Sequence, residues 1–236
     1  MTKPLATQLP PDAAAPPTSP RSPAARVVPD ARCALIVVDV QNGFVPGGNL
    51  AVANGDEVVP VINRLAPAFE NIVITQDWHP AGHISFASNH PGRQPFDVID
   101  VAYGPQVLWP DHCIQGSTDA ALCADLDLPT AQLVIRKGYR RDIDSYSAFE
   151  EADHRTGTGL TGYLRERGID TVYIVGLATD YCVAWTAMDA RKFGFATVVI
   201  EDATRGIDIQ GSVDAAWTRM LACGVERIAS GRIRAA

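Results

Sequence analysis

The chain has 236 residues, 47% of them hydrophobic and 20% charged, which suffices to fill the core of one globular domain without calling for a second. A formal net charge of −7 excludes a typical binder of phosphate backbones, which carries a basic face. No apolar run reaches the roughly 20 residues that span a bilayer, so nucleic acid and membrane are both set aside as partners.

Residues 1–31 are rich in proline and alanine. They show neither a helical nor a strand period, and lack the uninterrupted apolar core of a secretion signal, so they read as a disordered extension. Residues 32–236 read as one domain. Within it, short β-branched runs at 34–38, 72–75, 133–136, 172–175, 197–200 and, more weakly, 225–228 alternate with helix-length amphipathic segments at 56–69, 160–167, 183–193 and 212–223. Such alternation is the pattern of strand and crossover helix in an α/β fold with a mostly parallel sheet of six strands. The stretch 77–128 breaks the pattern. It is rich in Pro, Gly, His and aromatic residues and too long for a plain connection, as functional loops are. The five cysteines, Cys33, Cys113, Cys123, Cys182 and Cys223, are odd in number, widely spaced and without a CxxC pair, which points to a reduced, cytoplasmic protein.

Open parallel sheets bind ligands beyond the carboxyl ends of their strands. The residues at those ends here are Asp39, Asp77, Lys137 and the segment leading to Cys182. A lone cysteine is as a rule structural. Cys182, however, follows an apolar strand and a short turn and falls in the first turn of a helix, where unpaired amides and the positive dipole end favour thiolate and can bind an oxyanion. Asp39 ends the apolar run ALIVV and Lys137 ends LVIRK. Either alone would be a turn residue or a solvated strand end; together they supply a base and a cation for a sulfur nucleophile.

A second group is Asp77-Trp78-His79 with His112 further along the loop. One carboxylate and two imidazoles suit a divalent transition metal with open coordination positions, zinc first, with manganese and iron compatible. His83, His90 and Asp111 share the loop, but loop histidines generally face solvent, so they are left out of the ligand set.

Five segments, VDVQNGFVPGGNLAV, TQDWHPAGHISFAS, LWPDHCIQGS, IRKGYRRDIDSYSAF and VGLATDYCVAWTAMDA, resemble, in family order, the nicotinamidase/pyrazinamidase branch of the isochorismatase-like cysteine hydrolases. The likeness runs from about residue 34 to 228. It implies a Rossmann-like three-layer α/β/α sandwich with Asp39, Lys137 and Cys182 as catalytic triad, and Asp77, His79 and His112 as ligands of one divalent metal that faces a pyridine nitrogen. It further implies a cis peptide at Leu177-Ala178, an oxyanion hole from the amides of Ala178 and Cys182, and a substrate pocket of Phe44, Leu50, Trp109, Tyr146 and Leu177. The implied reaction is hydrolysis of nicotinamide, or pyrazinamide, through a cysteine thioester in NAD salvage. Some members add a fourth protein ligand where Ser85 or Ser88 stands here; serine is a poor ligand, and water is expected instead. The expected partner is a small carboxamide, and members occur as monomers or homo-oligomers. Three rivals stand beside this reading: a sister hydrolase of another amide, a metal-hydroxide hydrolase in which Cys182 is structural, and a catalytically inert binding module on the same fold, against which the intact triad argues.

Overall fold

Six consecutive apolar residues build β1 (Cys33–Val38), and all six are buried. A strand with no polar face belongs in the middle of a sheet covered on both sides. The computed structural model, which describes residues 26–234, puts it there. After β1 come α1 (Val58–Leu65), β2 (Asn71–Asp77), a hairpin of β3 (Val98–Val101) and β4 (Gly104–Val107), β5 (Leu133–Lys137), α2 (Leu160–Glu166), β6 (Thr171–Leu177), α3 (Ala184–Lys192), β7 (Ala196–Arg205), α4 (Ser212–Ala222) and β8 (Glu226–Ile228). Six strands form one sheet in the order β5, β2, β1, β6, β7, β8, and every neighbouring pair is parallel. The central strand β6 is also buried throughout, whereas the edge strand β5 alternates and leaves Val134 47% exposed.

From β1 the chain moves outward to β2 and β5, then returns past β1 to β6 and runs on to β8. Crossovers between parallel strands are right-handed, so this reversal sets the connecting helices on opposite faces and gives the three-layer α/β/α sandwich. It also opens a crevice where β1 and β6 end side by side. Close pairing of those two strands depends on Gly176: its φ is 110°, and a Cβ there would fall 2.1 Å from the Val38 carbonyl oxygen.

The expected strands and helices are all found, with different ends. The segment expected as one helix over 56–69 is α-helical only in α1, with 3-10 turns at Gly55–Glu57 and Ala66–Ala68 on either side, because Pro67 has no N–H to continue the ladder. The helix expected from residue 183 is preceded by a π-helical turn, Thr179–Val183, in which the Val183 N–H donates to the Ala178 carbonyl at 3.1 Å. Residues 26–31, counted with the extension from the sequence, are tied to the domain: the Val27 N–H donates to the Arg232 carbonyl at 2.8 Å, and the Val27 carbonyl accepts from the Arg234 N–H at 3.0 Å. The rest of the expected extension, residues 1–25, lies outside the described residues. No helix among the described residues is long and apolar enough to cross a membrane.

Candidate active site

Asp77 and Lys137 close their strands as direct neighbours in the β2–β5 register, so pairing alone brings this carboxylate and ammonium together. Asp39 stands just past β1 in a left-handed conformation, φ 48°, fixed by the buried Thr75. The Asp39 amide donates to Thr75 Oγ1 at 3.1 Å, and the Thr75 hydroxyl donates to Asp39 Oδ1 at 2.6 Å. Gln41 ties the ends of β1 and β2 together, donating to the Asp77 carbonyl at 2.9 Å and accepting from the Asp77 N–H at 2.8 Å.

The Lys137 ammonium, fully buried, is the hub. It lies 2.8 Å from Asp39 Oδ2, 3.1 Å from the Ser145 carbonyl and 3.4 Å from Cys182 Sγ, and also donates to Asp77 Oδ1. Carboxylate oxygens of Asp39 and Asp77 and the Cys182 sulfur all lie within 4.8 Å of one another. Burial alone would favour the neutral amine, but Asp39 and Asp77 hold the Lys137 proton affinity well above its ordinary value. Burial raises Asp39 despite the opposing pull of Lys137.

The expected depression of the Cys182 thiol is corrected by the structure. Burial pushes it well above the usual thiol range; Lys137 opposes this, while the Asp39 and Asp77 charges add to it. A sulfur that holds its proton this firmly needs a base beside it to serve as a nucleophile. A buried carboxylate of raised proton affinity beside it is suited to that task.

Asp77 Oδ2 faces the other way, 3.5 Å from His79 Nε2 and 3.8 Å from His112 Nε2. Each ring is aimed by its other nitrogen: Nδ1 of His79 bonds the Gly138 carbonyl at 2.8 Å, and Nδ1 of His112 bonds the Pro110 carbonyl at 2.7 Å. His112 reaches the site because the long loop adds bridges beside the sheet, pairing His79 with Ile114 and Phe86 with Trp109. Three buried donors within 4.8 Å, their rings oriented through carbonyls, fit a metal ion.

His79, His83 and Asp144 form a second cluster of that size, but its donors are committed. His83 bonds Ser85 Oγ at 2.7 Å and the Ile143 carbonyl at 3.2 Å, and the Asp144 oxygens accept from Gln106 at 2.6 Å and the Ser145 N–H at 2.8 Å. His83 is buried rather than solvent-facing, and burial, with His79 beside it, lowers its affinity for a proton to a pKa of about 4. The Ser88 hydroxyl, the other serine near the fourth-ligand position, donates to Asp111 at 2.5 Å.

A pocket of about 350 Å³, mouth included, opens over Cys182, Asp77, His79 and His112. Phe44, Leu50, Trp109 and Tyr146 line it as expected, joined by Tyr181 and Ile207, which the sequence reading did not single out. Trp109 Nε1 donates to Tyr146 Oη at 3.0 Å, and the Tyr181 ring meets Trp109 edge-on with centroids 4.8 Å apart. Leu177 is the exception: fully buried, it packs towards Gly55 and does not line the pocket. The Leu177-Ala178 peptide is cis. Ala178 and Cys182 both border the pocket.

The model of the isochorismatase domain matches residues 33–230, almost all of the described chain. The chain belongs to the isochorismatase family. A curated nicotinamidase of Acinetobacter baylyi is 68% identical over 201 residues, covering 85% of this chain and 94% of that protein. A solved nicotinamidase/pyrazinamidase of Acinetobacter baumanii superposes with a TM-score of 0.85 at 66% identity, covering 86% of this chain and 98% of the other. The pyrazinamidase of Pyrococcus horikoshii, solved in complex with zinc, gives a TM-score of 0.69 at 35% identity over 84% and 99% of the two chains. Within this family fold, side chains from the ends of β1, β2 and β5, the turn after β6 and the long loop converge on one crevice.

Proposed function

We propose that this isochorismatase-family chain is a cysteine amidohydrolase that converts nicotinamide to nicotinate and ammonia, accepts pyrazinamide in the same way, and works in the recycling of nicotinamide toward NAD in the cytoplasm. The observation that carries the reading is the Lys137 ammonium lying between Cys182 Sγ and the Asp39 carboxylate beside a ring-walled pocket.

Asp39 takes the thiol proton, and Lys137 holds the thiolate so formed. The sulfur attacks the carboxamide carbon, and the carbonyl oxygen, now negative, turns to the amides of Ala178 and Cys182. Collapse breaks the C–N bond while the proton held by Asp39 passes to the leaving nitrogen, which departs as ammonia. Asp39 then takes a proton from water, the hydroxide adds to the thioester, and nicotinate leaves as the proton returns to sulfur. Phe44, Trp109 and Tyr146 offer the flat walls that a heteroaromatic ring requires. Asp77, His79 and His112 would hold one divalent ion, zinc first and manganese or iron by the same donor chemistry, supplying a Lewis-acidic anchor for the ring nitrogen.

Ammonia release from nicotinamide and pyrazinamide, measured on purified protein supplied with zinc, manganese or iron, tests the reading. Both substrates are expected to turn over, and Cys182→Ala is expected to abolish turnover while circular dichroism and metal content stay unchanged. No ammonia from either substrate with metal-loaded enzyme would overturn the assignment. Substantial activity in Cys182→Ala would replace the mechanism with attack by a metal-bound hydroxide.

A further inference from the structure

Ile207 reaches the pocket from the segment between β7 and α4, a part of the chain that the proposed chemistry does not use. This segment has a single 3-10 turn, Ile209–Gly211, and Asp208, Gln210 and Gly211 all adopt positive φ, at 56°, 54° and 78°. Asp180 fixes it in place. Oδ1 of Asp180 accepts from the Ile207 N–H at 3.0 Å, and Oδ2 accepts from the Asp208 N–H at 2.9 Å and the Ser212 hydroxyl at 2.5 Å. Asp180 is only 4% exposed and belongs to the same π-helical turn as Cys182. Gly206 gives the chain room to approach, since a Cβ there would lie 2.2 Å from Val213 Cγ2 and 3.0 Å from Asp180 Oδ1. The pocket wall at Ile207 and the nucleophile are thus held to one another through one carboxylate.

We infer that Ile207 is a specificity-determining residue that limits the size of ring substituent the pocket accepts, and that Asp180 is the positioning residue that seats it. The inference rests on the proposed hydrolysis of nicotinamide. A β-branched side chain has few rotamers and makes a stiff wall. One methylene more or less in an apolar pocket shifts discrimination about 10-fold or more.

The test compares kcat/KM for nicotinamide with that for each ring-methylated nicotinamide, in wild type, Ile207→Val and Ile207→Ala. For at least one isomer the ratio of methylated to plain substrate should rise in the order Ile, Val, Ala, by about 10-fold across the series, with melting temperature and zinc content recorded on the same samples. A ratio that stays constant for every isomer in folded variants overturns the role of Ile207. Asp180→Asn, whose amide nitrogen cannot accept the bonds now made to one carboxylate oxygen, should shift the same ratio and raise KM for nicotinamide more than it lowers kcat. Should Asp180→Asn fail to fold, Ser212→Ala, which removes only the hydroxyl bond, reads the same ratio. An equal fall in kcat with no change of selectivity would overturn the role of Asp180. Wild type that leaves nicotinamide itself intact would instead refute the underlying activity, so the two failures are told apart.

Discussion

Replacing Gly138 with alanine puts one methyl group against the ring of His79. Gly138 follows Lys137 with a φ of 62°, and a Cβ at that position would lie 2.3 Å from His79 Cε1 and 2.6 Å from its Nδ1. Non-bonded carbons settle at about 3.5–4.0 Å, so the imidazole must retreat by roughly 1 Å or the backbone must leave the left-handed region. Holding alanine in that region costs about 1–2 kcal/mol. Either escape breaks the 2.8 Å bond from Nδ1 to the Gly138 carbonyl, the contact that aims Nε2 at Asp77. Loss of such an orienting partner lowers metal affinity about 10–100-fold. Titrating zinc into metal-free wild type and Gly138→Ala by calorimetry, with a melting curve on each, reads both effects. A folded variant that binds zinc as tightly as wild type would refute the claim that His79 is a ligand aimed through Gly138.

Lys137→Met leaves Asp39 and Asp77 buried without their shared cation. The expected loss is about 3–5 kcal/mol of stability, read from the urea midpoint, together with loss of activity; a midpoint equal to wild type would contradict it. Burial, partly relieved by the Ser147 hydroxyl, lifts the Asp189 carboxyl from 3.8 to about 6. The native state therefore binds more protons than the unfolded chain between those values, and stability falls as pH rises through them, by up to about 3 kcal/mol. Asp189→Asn should accordingly be more stable than wild type at pH 8 and show no gain near pH 3.5, and an equal gain at both pH values would count against the burial account. Gly176→Ala drives a methyl into the Val38 carbonyl and should separate β1 from β6, lowering the melting temperature and ammonia release together. Full activity in that variant would show that the two strands tolerate a wider gap.

The sheet is legible from the sequence because its central strands are buried on both faces and so read as unbroken apolar runs, as Cys33–Val38 does. The catalytic candidates are legible for a related reason: Asp39 and Lys137 end strands whose carboxyl ends face one crevice, and each becomes telling only in company with the other and with Cys182. What escapes is set by contacts distant in sequence. Ile207 joins the pocket on a segment held by hydrogen bonds to Asp180, and no local pattern announces that. His83 is buried because Ser85 and the Ile143 carbonyl satisfy its two nitrogens, a pairing invisible to a rule about loop histidines. The proton affinity of Cys182 moves opposite to the expectation from its helical position, since that expectation omits the burial and the two carboxylates around it. Leu177 directly precedes Ala178, which borders the pocket, yet its side chain packs in the core towards Gly55.

Asp77 gives one oxygen to the Lys137 ammonium and turns the other toward His79 and His112. The group that activates sulfur and the group that would grip the ring are thus wired through a single side chain. Substituting Asp77 would disturb both at once, and removing an ion held there would alter the electrostatic balance felt by Lys137 as well as the hold on substrate. A chelated enzyme should therefore lose turnover at saturating substrate, and extra nicotinamide should not restore it.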